Sequence, residues 1–258
     1  MALMSKQTVS EISRLLDTID SLTDPRLKTW QADPRKGVQQ ALQRHQRRIK
    51  RQIRAYQAFK QRFKYENALW KSGVRYVAGM DEVGRGPLAG PVVTCAVILS
   101  PDFDLVEVTD SKQLTCHERE QLYLRIVDEA VEVSIAVNDP RTIDRLNIYA
   151  ATQDAMMRSI KSLNHQPGHL IVDAVPLPFN YPQTTLVKGD QKSISVAAAS
   201  IVAKEYRDHL MLDYDRVYPG YGFAENMGYG TKEHLAGLRK YGVSPIHRRS
   251  FNPVPKFL

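Results

Sequence analysis

The sequence has few cysteines, no long apolar run and, over one stretch, no acidic residue. Only Cys95 and Cys116 are present among 258 residues, so we expect both to be reduced packing residues rather than a disulfide or a metal-binding pair. The seven histidines are scattered without the paired spacing of structural zinc, and there is no Gly-x-x-x-x-Gly-Lys-Ser/Thr loop for nucleotide hydrolysis. No apolar segment approaches the roughly 18 residues needed to span a membrane, and the first residues lack a signal-peptide core. These absences predict a cytoplasmic protein without membrane partners.

The stretch without acids is residues 34–65, which contain eleven Lys or Arg, whereas the whole chain carries a net charge of +8. Apolar residues recur there at spacings of three or four, which predicts a long amphipathic helix with a basic outer face. Before it, Thr8 and Glu11 resemble a capping box. We therefore predict a basic helical extension over residues 1–70, whose basic face either follows nucleic-acid phosphates or is solvated while its apolar stripe packs on a partner helix. The stripe consists of Val38, Leu42, His45, Ile49, Ile53, Tyr56, Phe59 and Phe63.

Residues 71–258 alternate strands and helices. The first two predicted strands are joined by a short glycine-rich turn, which favours an antiparallel pair, whereas the later ones have helical crossovers. The pattern predicts an α/β fold with a mixed five-stranded sheet flanked by helices, followed by a C-terminal helical region. The expected strands are 75–82, 91–99, 131–138, 169–174 and 184–189, and the expected helices are 115–129, 141–163, 192–213 and 231–241.

Two adjacent acids, Asp81 and Glu82, follow an apolar run and precede Gly84-Arg85-Gly86. Successive side chains of a strand point to opposite faces, so these acids can converge only where the strand ends. Glycines permit that ending and a close approach of the main chain to a ligand, and Arg85 is a candidate phosphate donor. The combination favours hard metal ions beside a nucleic-acid backbone. A surface turn with solvated acids is the alternative.

Two further acids follow strand-like runs. Asp173 ends the run from His169, and a lone acid there is costly unless it is paired or bound to metal. Asp190 follows a second run and stands at the start of a predicted helix, where it could instead serve as an N-cap for the amide of Ser193. Four carboxylates at strand ends could share one edge of a sheet and hold two divalent cations.

Several motifs between residues 74 and 251 together resemble bacterial ribonuclease HII. Asp81 to Val92 carries the most specific of them, and the others follow in the family's order. They are Asp110-Ser111-Lys112, Asn147 to Thr152, Val172-Asp173, Lys188-Gly189-Asp190, Ser200 to Lys204, Tyr221-Gly222-Phe223, Gly228 to Thr231 and His247 to Phe251.

The resemblance implies a ribonuclease H-like fold and a metal-dependent endoribonuclease. It implies that Asp81, Glu82, Asp173 and Asp190 hold two Mn²⁺ or Mg²⁺ ions. The implied substrates are RNA–DNA hybrids and duplex DNA with embedded single ribonucleotides, cut on the 5′ side of the ribonucleotide to leave 3′-hydroxyl and 5′-phosphate ends.

The resemblance also implies substrate contacts. The segment Gly84-Arg85-Gly86 would contact the ribose 2′-hydroxyl and the adjoining phosphate, Tyr229 would lie against the following deoxyribose, and Lys112 would contact a phosphate. A solvated Lys112 and a Tyr229 that merely packs its loop remain open, as does a phosphate-contacting or a capping role for His247-Arg248-Arg249.

Two other functions share some of these features. A catalytically silent hybrid-binding protein would have no reason to keep four carboxylates that repel phosphate. A different nuclease or strand-transfer enzyme of this fold would not be expected to carry both Gly84-Arg85-Gly86 and Tyr229.

Overall fold

The computed structural model describes residues 7–178 and 181–258, which divide into two compact units between Lys60 and Gln61. This division falls ten residues before the domain boundary expected from the sequence. In the first unit, α1 begins with the predicted capping box, in which Thr8 and Glu11 each accept a hydrogen bond from the other's main chain. The helices are α1 Val9–Asp17, α2 Pro25–Gln31 and the long α3 Lys36–Arg62, which continues into the second unit.

The apolar stripe of α3 is buried over its first half. Its residues Val38 and Leu42 join a core with Ile12 and Leu16 of α1 and Trp30 of α2. Farther along, Ile53 and Tyr56 are 44% and 49% exposed, whereas Phe59 is fully buried. The basic face is exposed along the same turns, at Lys50, Arg51 and Arg54 among others.

The second unit is built on a five-stranded sheet in the order β3-β2-β1-β4-β5. The pairs β1–β2 and β2–β3 are antiparallel, whereas β1–β4 and β4–β5 are parallel, which confirms the mixed sheet. No helix forms in the described part of the β4–β5 connection, so the expected helical crossover there is wrong. The strands are β1 Val77–Val83, β2 Val92–Ile98, β3 Glu132–Asn138, β4 His169–Asp173 and β5 Gln183–Leu186.

Helices cover the sheet, and one prediction about them needs correction. The single helix expected over residues 141–163 is two helices, because Asn147 has φ +67° and caps the second through Oδ1, which accepts the amide of Ala150. The helices are α4 Lys64–Lys71, α5 Cys116–Glu129, α6 Pro140–Leu146, α7 Ile148–Lys161, α8 Ile194–Val217, α9 Phe223–Asn226 and α10 Lys232–Tyr241. None of the helices within the described ranges is both long and apolar enough to cross a bilayer.

Helix α8 lies very close to the centre of the sheet. A side chain at Gly79 of β1 would place its Cβ 2.2 Å from the main-chain carbon of Ser195, so only glycine fits beneath the helix. The small side chains Ala197, Ala198 and Ala199 are fully buried. This approach brings the first turns of α8 alongside the strand that carries Asp81.

The start of α8 is tied to α4 by a buried carboxylate. Glu66 is fully buried, and its Oε1 accepts hydrogen bonds from Ser193 Oγ at 2.5 Å, Ser195 Oγ at 2.6 Å and the amide of Ser195 at 3.1 Å. A carboxylate at the positive end of a helix is favourable. Helix α4 therefore packs as part of the second unit.

Cys95 is buried and Cys116 is exposed, and both are free. The expectation that Cys116 is a packing residue is wrong, because it occupies the exposed first turn of α5.

Candidate active site

Asp81 and Asp173 lie side by side on neighbouring parallel strands. Met80 of β1 pairs with Val172 of β4, so the residues that follow share one edge of the sheet. Asp81 is 7% exposed and accepts the amide of Glu82 at 2.7 Å through Oδ1. Burial, followed by the charge of Glu82, raises the pKa of Asp81 well above its ordinary range, and the hydroxyl of Ser200 on α8 opposes this by lowering the pKa.

Glu82 is less completely satisfied than Asp81. Its Oε1 accepts a hydrogen bond from Arg85 Nη1 at 3.2 Å, whereas its Oε2 is buried without a hydrogen-bond partner among the described residues. Burial raises the pKa of Glu82, and Arg85 opposes this. An unpartnered carboxylate oxygen in a buried position is costly unless a ligand completes it.

Asp190 comes to the same edge from the loop before α8. It lies in a 3₁₀ turn, Gly189–Gln191, and the amide of Gly189 donates to Asp173 Oδ1 at 2.7 Å, which joins this turn to β4. The N-cap of α8 is Ser193, whose hydroxyl accepts the amide of Val196, and the amide of Ser193 itself donates to Gly189. The capping alternative for Asp190 is therefore wrong.

The four carboxylates act on one another electrostatically. The charge of Asp173 raises the pKa of Asp81, Glu82 and Asp190, and burial is the largest cause in all three. The carboxylate oxygens of these acids do not form a group in which every ligand atom lies within 4.8 Å of the others. Within residues 7–178 and 181–258, the only group of three or more possible metal ligands that meets this distance consists of Glu120, Glu205 and His209. That other trio adjoins a guanidinium, because Arg119 donates to Glu205.

The residues at the strand ends fit divalent cations. The donor set consists of carboxylate oxygens, which Mg²⁺ and Mn²⁺ prefer, and one of them, Glu82 Oε2, has no other partner. A cation would also offset the repulsion that raises the pKa of these groups. Arg85 at Glu82 is the single salt-bridge partner of the four acids in the part of the chain that the structure describes.

Sequence reasoning did not assign Asp110, which belongs to the same neighbourhood. Asp110 is buried, its charge raises the pKa of Asp190, and its Oδ2 accepts Gln191 Nε2 at 3.1 Å. The exposed Lys112 lies in the following turn, and its charge lowers the pKa of Asp190. The signal for Asp110 was its place in the motif Asp110-Ser111-Lys112, of which only the lysine was assigned.

The glycine segment and Tyr229 lie next to each other. Tyr229 is 51% exposed, and a Cβ added at the exposed Gly86 would be 3.5 Å from Tyr229 Cε1. The tyrosine therefore borders the segment whose arginine contacts Glu82. The exposed half of the ring is accessible to a ligand, and the other half packs against the protein, so both roles of Tyr229 stay predictions.

Two buried histidines fix the main chain at Tyr229. His234 Nδ1 lies 2.9 Å from the Tyr229 carbonyl oxygen, and His234 Nε2 lies 2.9 Å from His247 Nε2. His247 Nδ1 accepts the amide of Ser244 at 3.0 Å and lies 2.7 Å from its hydroxyl. One set of neutral tautomers satisfies every bond: Ser244 donates to His247, His247 to His234, and His234 to Tyr229. Burial lowers the pKa of His247 to about 4, which keeps it neutral.

Two buried arginines lie behind the glycine segment. Arg207 and Arg248 are 1% and 0% exposed, so a direct phosphate contact by Arg248 or by the equally buried His247 is ruled out. Arg207 donates to the carbonyls of Pro91, Met227 and Ala89. The sequence singled out Arg248 only as part of His247-Arg248-Arg249 and did not single out Arg207, and it did not predict the burial of either, since arginine is seldom fully buried.

Comparison with known proteins identifies the family to which this fold belongs. The family model for Ribonuclease HII matches residues 78–254, and the model for the Ribonuclease HII N-terminal domain matches residues 8–70. The chain belongs to the ribonuclease HII family. It is therefore a type 2 ribonuclease H, a hydrolase that cleaves RNA in RNA–DNA hybrids, and the alternatives of a silent binding protein or another nuclease fall away.

Relatives within this family match over nearly the whole chain. Ribonuclease HII of Limosilactobacillus reuteri (strain DSM 20016) is 72% identical over 255 residues, which cover 99% of this chain and all of the relative. Ribonuclease HII of Levilactobacillus brevis is 57% identical over 256 residues, covering 99% of each chain.

Solved structures confirm the ribonuclease H-like fold. The ribonuclease H2 of Pyrococcus horikoshii OT3 is 27% identical and superposes with a TM-score of 0.61 over 70% of this chain and 96% of that one. A ribonuclease HIII from Bst, solved in complex with Mn²⁺, is 19% identical with a TM-score of 0.55 over 70% of this chain and 68% of that one, a likeness of fold.

Proposed function

We propose that this ribonuclease HII removes ribonucleotides from DNA by metal-dependent cleavage, with two Mn²⁺ or Mg²⁺ ions held by Asp81, Glu82, Asp173 and Asp190. The observation that carries the proposal is the convergence of four mutually interacting carboxylates on one sheet edge, with Glu82 Oε2 buried and unpartnered. These four residues would hold the cations, and the bound cations would provide an activated water for attack at phosphorus and stabilisation of the leaving 3′-oxygen.

The chain's own residues keep the carboxylates oriented. The amide of Glu82 donates to Asp81, the amide of Gly189 donates to Asp173, and Arg85 donates to one oxygen of Glu82. Each bond uses one position of a carboxylate and fixes its rotation, which leaves further lone pairs for ligands. Lys112 and Arg85 supply positive charge at the rim of the acidic cluster.

Substrate choice belongs to the adjoining loop. In this proposal the main chain of Gly84-Arg85-Gly86 contacts the ribose 2′-hydroxyl and its phosphate, which is the group that separates RNA from DNA. Tyr229, half-exposed beside Gly86, lies against the deoxyribose that follows. Lys112 contacts a phosphate. A ribonucleotide followed by DNA meets both requirements, so single embedded ribonucleotides are substrates alongside continuous hybrids.

The basic extension contributes affinity for the duplex, and the cytoplasm is where the substrate is found. Residues 1–70 act as a helical extension that adds sequence-independent affinity for duplex phosphates, and residues 71–258 act as the catalytic domain. The free cysteines suit a reducing cytoplasm, where chromosomal DNA is the source of substrate.

The test is digestion of an end-labelled DNA duplex with one ribonucleotide, mapped to nucleotide resolution. With Mg²⁺ or Mn²⁺ we expect one cut on the 5′ side of the ribonucleotide, leaving a 3′-hydroxyl on DNA and a 5′-phosphate on the ribonucleotide. The matched all-DNA duplex should stay intact, and EDTA should abolish cutting. Cleavage on the 3′ side, or cleavage that survives EDTA, would contradict the proposal.

A further inference from the structure

Arg248 is a fully buried cation whose hydrogen-bond partners are all main-chain carbonyls. Its Nε donates to Gly90 at 3.0 Å, its Nη1 to Arg85 at 2.9 Å and its Nη2 to Gly84. It has no salt-bridge partner among the described residues, and its guanidinium carbon lies 5.0 Å from the centre of the Phe251 ring. Burying a charge costs free energy, so fixing a loop with a buried guanidinium carries a large desolvation cost.

Two of the carbonyls belong to consecutive peptide units of the glycine segment. The carbonyls of Gly84 and Arg85 both point at Arg248. These peptide bonds are trans, because the one cis bond within the described ranges is Asn252–Pro253. In a planar trans peptide the N–H points opposite to the carbonyl, so the amides of Arg85 and Gly86 point away from Arg248.

These two amides have no acceptor within the described parts of the chain. Gly86 is exposed and Arg85 half-buried, so both N–H groups lie on the open side of the loop. Consecutive N–H groups aimed to the same side form a concavity suited to an anion or to a hydroxyl oxygen. The open side is also the side of Tyr229, whose ring adjoins Gly86.

The backbone of this loop cannot relax around a different residue at position 84. Gly84 has φ +88°, and a Cβ there would lie 2.2 Å from Arg207 Nε. Glycine therefore permits the turn, but it does not by itself determine how the next two peptide planes are rotated. Their rotation is determined by the group that binds their carbonyls.

We propose that Arg248 is a positioning residue for ribonucleotide recognition: by binding the carbonyls of Gly84 and Arg85 from inside the protein, it turns the amides of Arg85 and Gly86 toward the substrate's ribose and phosphate. This role rests on the proposed function of the glycine segment. Arg248 touches no substrate atom and acts through the orientation of two peptide units.

The test compares affinities for two duplexes of one sequence, one with a single ribonucleotide and one of DNA alone, measured in Ca²⁺ in place of the activating metals. The wild-type protein should prefer the ribonucleotide duplex. The variant Arg248→Lys keeps the charge but cannot reach three carbonyls with a planar fork, so its preference should fall about tenfold, as misalignment of two ordinary hydrogen bonds implies. Its affinity for the DNA duplex should stay within about twofold, because phosphate contacts elsewhere are unchanged.

Arg207→Lys is the matched control. Arg207 is equally buried, is bound only to carbonyls and also packs against Gly84 from inside the protein. The carbonyls it binds belong to Pro91, Met227 and Ala89, so it holds neither of the two peptide units between residues 84 and 86. It should lose thermal stability to a similar extent and keep the preference. An equal loss of preference in both variants would overturn the assignment to Arg248.

A milder variant serves if Arg248→Lys does not fold. Phe251→Leu leaves the guanidinium in place and removes the ring against which it lies, so the preference should fall about twofold to threefold. An unchanged preference in folded Arg248→Lys, or in Phe251→Leu where only that variant folds, would overturn the role of Arg248 alone. A wild-type protein without preference would overturn the proposed ribose recognition, and this role with it.

Discussion

The acidic sheet edge and the loop behind it bury charge in two different ways. At the loop, Arg207 and Arg248 each donate to three carbonyls, and every bond lies inside the protein. At the sheet edge, Asp81, Glu82 and Asp190 have raised pKa values, and Glu82 Oε2 has no partner in the described residues. The guanidinium groups of the arginines are hydrogen-bonded within the protein, whereas the carboxylates remain available to bind a ligand from solvent.

Glu66 shows that one unpartnered oxygen is not enough to make such a site. Its Oε2 is also buried without a partner among the described residues, but its Oε1 accepts three hydrogen bonds at the start of α8. No second carboxylate of the metal set converges on it. What distinguishes the sheet edge is the mutual repulsion of several acids, which a cation relieves.

The largest expected effect follows from removing one acid's charge. Asp81→Asn and Asp190→Asn should each lower turnover by roughly 100-fold or more while the protein stays folded, because a neutral amide is a much weaker ligand for a hard cation. Single-turnover cleavage and circular dichroism would measure both properties. Near-normal turnover in a folded variant would remove that residue from the metal set.

Exposed cations of α3 such as Lys50, Arg51 and Arg54 form a third class of charge, because they have no acidic partner among the described residues. A chain that begins at Gln61 should keep the cut position and metal requirement but bind duplexes with a smaller salt dependence, since each lost phosphate contact removes about one unit of the slope of log affinity against log salt. A chain that begins at residue 71 also loses Glu66, so it should be less stable. An unchanged slope would show that the basic face does not bind phosphates.

The next effect concerns the half-exposed ring beside the glycine segment. Tyr229→Ala should reduce cleavage of a single embedded ribonucleotide by about tenfold more than cleavage of a continuous RNA strand, where other registers are available. Tyr241→Ala, an equally exposed tyrosine at 52% exposure on α10, is the control and should affect neither substrate. Equal losses on the two substrates would point to loop packing.

The smallest effect is on the free energy of unfolding without metal. Replacing a buried acid should raise it, whereas replacing a buried arginine should lower it. Folding raises the pKa of Asp81, so its ionised form costs stability once the pH exceeds the unfolded-state value of about 4. In EDTA, Asp81→Asn should therefore be more stable than wild type. The difference in the free energy of unfolding should be about 1 kcal/mol or more for each pH unit above the unfolded-state pKa, up to the raised pKa of the folded state. Arg248→Lys should be less stable at every pH. Urea unfolding between pH 4 and 8 would check both, and an Asp81→Asn variant no more stable than wild type at pH 8 would contradict the reasoning.

Much of this fold follows from local patterns in the sequence. The β-branched runs and the glycine-rich turn predicted the mixed sheet, with strand ends within about three residues of those observed. The break at Asn147 was missed because a single residue with positive φ interrupts an otherwise continuous helical pattern. The N-cap of α8 was assigned to Asp190 as an alternative because aspartate and serine both suit that position, and only the tertiary bonds of Gly189 and Ser193 separate them.

Sequence patterns could not predict which buried charged side chains find their partners within the fold. The partners of Arg248 lie more than 150 residues away and are main-chain carbonyls, which any sequence possesses. Asp110 likewise meets Asp190 only because separate elements converge. The acids, by contrast, could be predicted because each lies within the last three residues of a strand or shortly after one, and the strand ends of a parallel pair meet at one edge.

The most direct measurement is the shift in melting temperature on adding Mn²⁺ to the wild-type protein, Asp81→Asn and Arg207→Lys. A ligand at 100 times its Kd stabilises the folded state by about 2.7 kcal/mol. We predict that Mn²⁺ raises the melting temperature of the wild type and of Arg207→Lys by the same increment, and that Asp81→Asn shows little or no shift. An equal shift in Asp81→Asn would show that the cation binds elsewhere and would contradict the assignment of the buried acids to a metal site.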